Sequence, residues 1–206
     1  MSTAEDGFAE LPLNELLQQI AAHQPVPGGG AVAGIVTSLA AALGGMVVSY
    51  SVGKKSLADS EEMLRSAGEK LAELRAVAMK QGQEDAKAYE KLNALWSLPK
   101  DDPAREAGFH TAVLGAIEAP GNIMRTAAEI LGILAQLPDR SAKHLKSDLA
   151  IAVELSATGA RAAERNVTVN LPFLESDSQR DQLDGTYGAL GNQIDEQARE
   201  TIAILS

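Results

Sequence analysis

The stretch QPVPGGGAVAGIVTSLAAALGGMVVSYSVG, residues 24–53, contains no charged side chain. Its apolar part is long enough to cross the ~30 Å hydrocarbon core of a bilayer, so a membrane span is the first reading to weigh. The composition points elsewhere. The middle is Ala and Gly rather than Leu, Ile and Phe, and Gly30, Gly34, Ser38, Ala41, Gly45 and Val48 recur at helical spacing on one stripe. Small residues in a stripe let another helix approach closely, and a helix with no polar face belongs inside a bundle or at an oligomer interface. A buried central helix is expected here, with no membrane partner.

The flanking sequence supplies helices to surround it. Residues 13–22 form a short amphipathic pattern with Leu13, Leu16, Leu17 and Ile20 on one side, ended by Pro25 and Pro27. Residues 59–96 carry a long apolar stripe of Met63, Ala67, Leu71, Leu74 and Ala78, and the same spacing continued gives Gly82, Asp85, Tyr89, Leu92 and Trp96. An acid thus falls on a stripe meant for the core. Asp102 before Pro103 is a good N-cap for a helix running to about residue 137, which Pro120 should kink or split. After a polar loop at 138–146, Ser147 or Asp148 opens a helix with Asp148, Ala152, Leu155, Gly159, Ala162 and Asn166 on one face. The last helix, 178–205, turns Leu183, Tyr187, Leu190 and Ile194 inward. No strand alternation of useful length and no repeat is present. The pattern predicts an all-α bundle of five or six helices, several of them long, built around a central Ala/Gly-rich buried helix.

Composition agrees. A chain of 206 residues fits one domain, 1–206. It is 45% hydrophobic with only three Tyr, three Phe and one Trp, so its core is Ala, Leu, Val and Ile, which favours helices over a sandwich or barrel. A net charge of −10 argues against nucleic acid or an anionic membrane as partner, and an anionic ligand needs a local basic patch. With no cysteine there is no disulfide, thiolate metal site or Cys nucleophile, and His23, His110 and His144 stand isolated, so no metal site is expected. Residues 1–10 carry acids and no basic or apolar block; no signal peptide is visible, and the cytoplasm is the expected location.

Several residues invite a chemical reading beside a structural one. Gly28-Gly29-Gly30 before a helix suits either an anion cradle or a tight entry into a crowded interior. Gly53-Lys54-Lys55 suits either a helix C-terminus or an anion site. Asp85 costs several kcal/mol if buried unpaired, and burial raises its pKa toward the range a general acid/base needs; pairing with Lys80 or Lys87 is the structural alternative. Asp148, with Ser147, is similar but is open to a capping explanation. Glu118 falls two residues before Pro120, where a kink frees backbone groups. Asn166-Val-Thr-Val-Asn170 either places two amides in a cleft or ends a helix.

In this order, Pro27-Gly28-Gly29-Gly30, Gly53-Lys54-Lys55, Asp85-Ala-Lys-Ala-Tyr89, Leu98-Pro99-Lys100, Glu118-Ala-Pro120, Ser147-Asp148-Leu149 and Asn166-Val-Thr-Val-Asn170-Leu171 resemble the formiminotetrahydrofolate cyclodeaminase and methenyltetrahydrofolate cyclohydrolase family, from about residue 16 to 173. No single block is specific; the set in sequence is. The chain departs from the family pattern at Ser56 and Leu57 after Gly-Lys-Lys, and at Ser141 and Ala142 six residues before Ser-Asp.

The resemblance implies an all-helical homodimer acting on a one-carbon tetrahydrofolate, with no cofactor beyond that substrate. Carried over by position, Gly28, Gly29, Gly30, Lys55, Ser147, Asn166 and Asn170 would bind substrate, and Asp85, Lys54 and Asp148 would be catalytic. Within that set Asp85 would move the proton beside Lys54. Cyclodeaminase is the first expectation and cyclohydrolase the second. Two others stand behind them: another anionic heterocycle as substrate, suggested by the departures, and a non-enzymatic helical scaffold.

Overall fold

The computed structural model describes residues 7–206, so most of the segment read for a leader lies outside the described residues. It contains six α-helices: α1 (Leu13–Ala21), α2 (Gly29–Ser49), α3 (Glu61–Trp96), α4 (Pro103–Leu134), α5 (Lys146–Asn170) and α6 (Asp177–Leu205). Among the described residues there is no strand. The expected bundle is observed, and α2 is its axis, packed against α3, α5 and α4, with α6 laid over α4 and α5.

The small-residue stripe sets how tightly these helices cross. A Cβ at Gly34 would lie 2.7 Å from the Gly82 Cα and 2.8 Å from the Ala78 carbonyl oxygen, so α2 and α3 meet backbone to backbone. A Cβ on Gly159 of α5 would collide with the Thr37 hydroxyl of α2. At the far end the close contact belongs to Gly44, under Leu134, whereas a Cβ at Gly45 would meet nothing within 4 Å. The contacts Gly34 with Gly82 and Val48 with Gly68 make α3 antiparallel to α2; Gly29 with Asn166 and Thr37 with Gly159 do the same for α5.

α2 is long and apolar enough to span a membrane, with a mean hydropathy of 2.1, yet 56% of that window is buried within the bundle. One face is left over. Val32, Val36, Leu39, Leu43, Met46 and Tyr50 follow each other at helical spacing along the outside, with Leu39 52% and Tyr50 59% exposed.

Pro120 neither splits α4 nor leaves a backbone group orphaned. Proline has no N–H to donate to the carbonyl four residues earlier, and the Asn170 side-chain amide donates to that carbonyl, Ala116 O, at 3.1 Å. The expected partner near the proline, Glu118, is exposed. Asn170→Ala should therefore lower stability by about 1–3 kcal/mol, the cost of a buried acceptor left without a donor. In a Pro120→Ala background, where a backbone N–H is restored, the same change should cost far less; urea unfolding of the four proteins measures that coupling. Equal costs in both backgrounds would break the link.

The helix starts divide between expected and corrected. Asp102 caps α4 through the Ala104 N–H at 2.8 Å, as predicted. By contrast α5 begins at Lys146 with Leu145 at the cap position and no side-chain capping bond, so neither Ser147 nor Asp148 caps it.

Candidate active site

Antiparallel packing sorts the predicted site residues into two groups at opposite ends of α2. At its N-terminal end, Gly28 is the cap residue, Gly29 faces the Asn166 side chain of α5, and the Asp85 carboxyl of α3 occupies the space a Cβ at Gly30 would need. Glycine here is a requirement of the acid above it. At the C-terminal end, Gly53 turns the chain with φ 78°, a left-handed conformation suited to glycine, and presents Lys54 half-buried and Lys55 exposed. The buried Ser51 hydroxyl accepts the Ala142 N–H at 2.8 Å and donates to Val47 O, pinning the Ser141-Ala142 loop to this end. Exposed Ser147 and half-buried Asp148 follow in the first turn of α5.

The expectation that Lys54 stands beside Asp85 is corrected within one chain. Residues 30–49 of α2 separate them, about 30 Å at 1.5 Å per residue. Asp148 shares the Lys54 end for the same reason.

Asp85 nonetheless has the environment its position on the stripe predicted. Burial pushes its carboxyl from the ordinary 3.8 up to about 6. Among the described residues no cation pairs with it; Lys80, one proposed partner, pairs with Glu84 at 3.5 Å instead. A carboxyl of this kind is ionised at neutrality but close enough to its pKa to take a proton and return it.

The amides of α5 are partly committed. Asn166 Nδ2 donates to Ala162 O at 3.0 Å, and the side-chain amide lies against Gly29. Asn170 Nδ2 is spent on Ala116 O and Asn166 O, so Asn170 ties the end of α5 to the middle of α4, a role its sequence neighbours did not reveal. The three histidines are exposed, and among the described residues no three His, Cys, Asp or Glu side chains gather as a metal site. A cleft of about 630 Å³ between α1 and α3 adjoins this region, lined by Pro27 and Ala86, the residues flanking Gly28 and Asp85. Neither that cleft nor the groove between α3 and α4 includes Asp85 itself.

Comparison with known proteins places this architecture. The formiminotransferase-cyclodeaminase family model matches residues 12–187. The chain belongs to that family. The methenyltetrahydrofolate cyclohydrolase of Methylorubrum extorquens is 27% identical over 198 residues, covering 92% of this chain and 95% of that protein. The formimidoyltransferase-cyclodeaminase of Sus scrofa is 25% identical over 94% of this chain, which spans only 37% of that longer protein. The crystal structure of formiminotetrahydrofolate cyclodeaminase from Thermotoga maritima superposes with a TM-score of 0.88 at 25% identity, covering 96% of both chains. These family members are named for two different reactions of one-carbon tetrahydrofolates, and membership sets aside the scaffold expectation.

Proposed function

We propose that this protein closes the one-carbon bridge of tetrahydrofolate as a formiminotetrahydrofolate cyclodeaminase, with Asp85 moving the proton. The observation that carries the reading is the Asp85 carboxyl, half-buried against Gly30 with its pKa lifted to about 6, in a chain of the cyclodeaminase family. In the reaction, N10 of the folate attacks the carbon of the formimino group on N5, which enters as its protonated amidinium form. Asp85 takes the proton that N10 loses and delivers it to the amine as the carbon–nitrogen bond breaks, so ammonia leaves and the methenyl bridge remains. One carboxyl serves as base and then as acid. The bound geometry brings N10 to the carbon, a contribution that positioning alone makes large. No metal or redox cofactor enters these steps.

The second reading is methenyltetrahydrofolate cyclohydrolase, favoured by the Methylorubrum relative of nearly equal length. Asp85 would then take a proton from water as it attacks the bridging carbon. Adding 5-formimino- and 5,10-methenyltetrahydrofolate to the purified protein and following methenyl absorbance separates the readings. Growth supports the cyclodeaminase and accelerated loss the cyclohydrolase. Neither would reject both.

The same proposal includes a second copy of the chain. The stripe from Val32 to Tyr50 is apolar along its whole length, half-buried for most of it and exposed at Leu39 and Tyr50. A two-fold axis there would set the two α2 helices antiparallel across a self-complementary interface. Each Gly28-Gly29-Gly30 end would then meet the partner's Gly53-Lys54-Lys55, giving an anionic folate the positive charge it needs in a chain of net charge −10. Lys55, Ser147 and Asp148 would join the substrate-binding wall from the partner's side, opposite Asn166.

This arrangement predicts complementation. Lys54→Met and Asp85→Asn should each be inactive alone, but a refolded equal mixture should recover about a quarter of wild-type activity, because half the dimers hold one intact site. No recovery, with mixed dimers present, would place Lys54 and Asp85 in separate functions.

A further inference from the structure

The inward stripe of α3 opens to solvent at one place. From Met63 to Trp96 its members are buried or half-buried except Tyr89, which is 37% exposed. The start of α2 is the cause. Gly30 lies opposite Asp85 and α2 runs antiparallel to α3, so the next turn of α3, with Tyr89, would face the turn of α2 before Gly29, where that helix has not begun. The chain leading into α2 does not fill the gap: residues 24–27 lie against another face of α3, sharing a cleft with Gln83, Ala86 and Glu90. Tyr89 follows Asp85 by four residues, about 6 Å along the helix, so ring and carboxyl are neighbours on one face. The other rings near this end are engaged, Trp96 meeting Phe173 edge-on at 4.8 Å between centroids and Phe109 at 6.3 Å. Among the described residues the Tyr89 ring has no aromatic or cationic partner of this kind. An open aromatic face thus borders the acid, with the Asn166 amide against Gly29 at the same end of α2.

We infer that Tyr89 is a substrate-binding residue whose ring stacks on the pterin of the folate and so holds the one-carbon unit at Asp85. This rests on the folate reading above and gives a role to a residue that reading left without one. The chemistry selects the pterin over the benzoyl ring of the same substrate. N5 is a pterin atom and carries the one-carbon group, so the ring bearing it must lie within about a helical turn of the acid that serves that group. The pyrimidinone half of a reduced pterin is flat and polar at its edge, and it covers an aromatic face while leaving its edge groups free to hydrogen-bond.

Tyr89→Leu keeps an apolar side chain and removes the ring. Its KM for whichever one-carbon folate the wild type converts should rise about tenfold with kcat nearly unchanged, the mark of a lost stack in ground-state binding. Tyr89→Phe keeps the face and should stay within about twofold of wild type. The fragment 6-methyltetrahydropterin should inhibit Tyr89→Leu about tenfold more weakly than wild type, whereas p-aminobenzoylglutamate should inhibit both alike. Tm and oligomeric state should be nearly unchanged, as for a surface position. A KM for Tyr89→Leu within about twofold of wild type would overturn the inference, and so would an equal loss in Tyr89→Phe or a loss confined to p-aminobenzoylglutamate. A large fall in Tm or a changed oligomeric state would also overturn it, making Tyr89 a packing residue of this chain or of its contact with a second copy. Wild-type protein that converts neither folate would remove the underlying reading first, and that result is seen before any variant is made.

Discussion

Asp85→Asn should lower kcat by about 10²–10⁴-fold, the usual worth of a positioned general acid/base, while leaving folate affinity largely intact. The amide keeps the size of the carboxyl and can still hydrogen-bond, but it cannot carry a proton between N10 and the leaving amine. Unchanged turnover would remove Asp85 from the chemistry.

The same substitution has a stability signature with a defined sign. Burial raises the folded pKa of Asp85 from 3.8 to about 6, so the folded protein binds this proton more tightly than the unfolded chain does. The group's favourable contribution is therefore complete below pH 3.8 and lost as pH rises through about 6. Two pKa units correspond to about 3 kcal/mol. Relative to wild type, Asp85→Asn should gain stability of that order between pH 4 and pH 7, read from urea unfolding at both pH values. Parallel stability curves would mean that the acid is solvated in solution. Wild-type kcat/KM should also fall as pH drops below about 6, since the base form is lost there.

Gly34→Ala should be the most damaging single methyl added to this protein. On helix propensity alone the change is favourable by about 1 kcal/mol. Tertiary contact reverses the sign, because the new Cβ would lie 2.7 Å from Gly82 Cα and 2.8 Å from Gly82 N, atoms that no rotamer change can move. Helices α2 and α3 must separate, and the expected loss is about 3 kcal/mol, or roughly 10 °C in Tm for a chain of this length. Gly132→Ala on α4 is the control: a Cβ there meets nothing within 4 Å, so propensity should prevail and Tm should rise. Equal effects at the two positions would show that the α2 and α3 backbones are not in contact.

Much of the candidate site was legible in advance, and the reason lies in particular residues. Asp85 declared itself by standing on an apolar stripe, since a period-3.6 pattern states which side chains face inward without any tertiary information. Gly30 and Gly34 announced close approach, although not what approaches: a carboxyl at Gly30 and another backbone at Gly34. Asn170 does end a helix, one of its two readings, but its bond to Ala116 O could not be foreseen, because it depends on Pro120, fifty residues away and adjacent only after α4 and α5 pack.

The amino-acid sequence by itself determined the helices, their inward faces, the uncharged axis and the family, because periodicity, capping residues and small-residue spacing act within a few turns of chain. Only the tertiary structure decided which of those residues stand together. A helix is a rigid rod, and the one formed by residues 29–49 holds Lys54 and Asp85 at its opposite ends, whatever motif order suggests. Antiparallel packing then gathered Gly30, Asp85 and Asn166 from three helices into one wall, and left part of an apolar face of the axis outward, because no helix of this chain covers it.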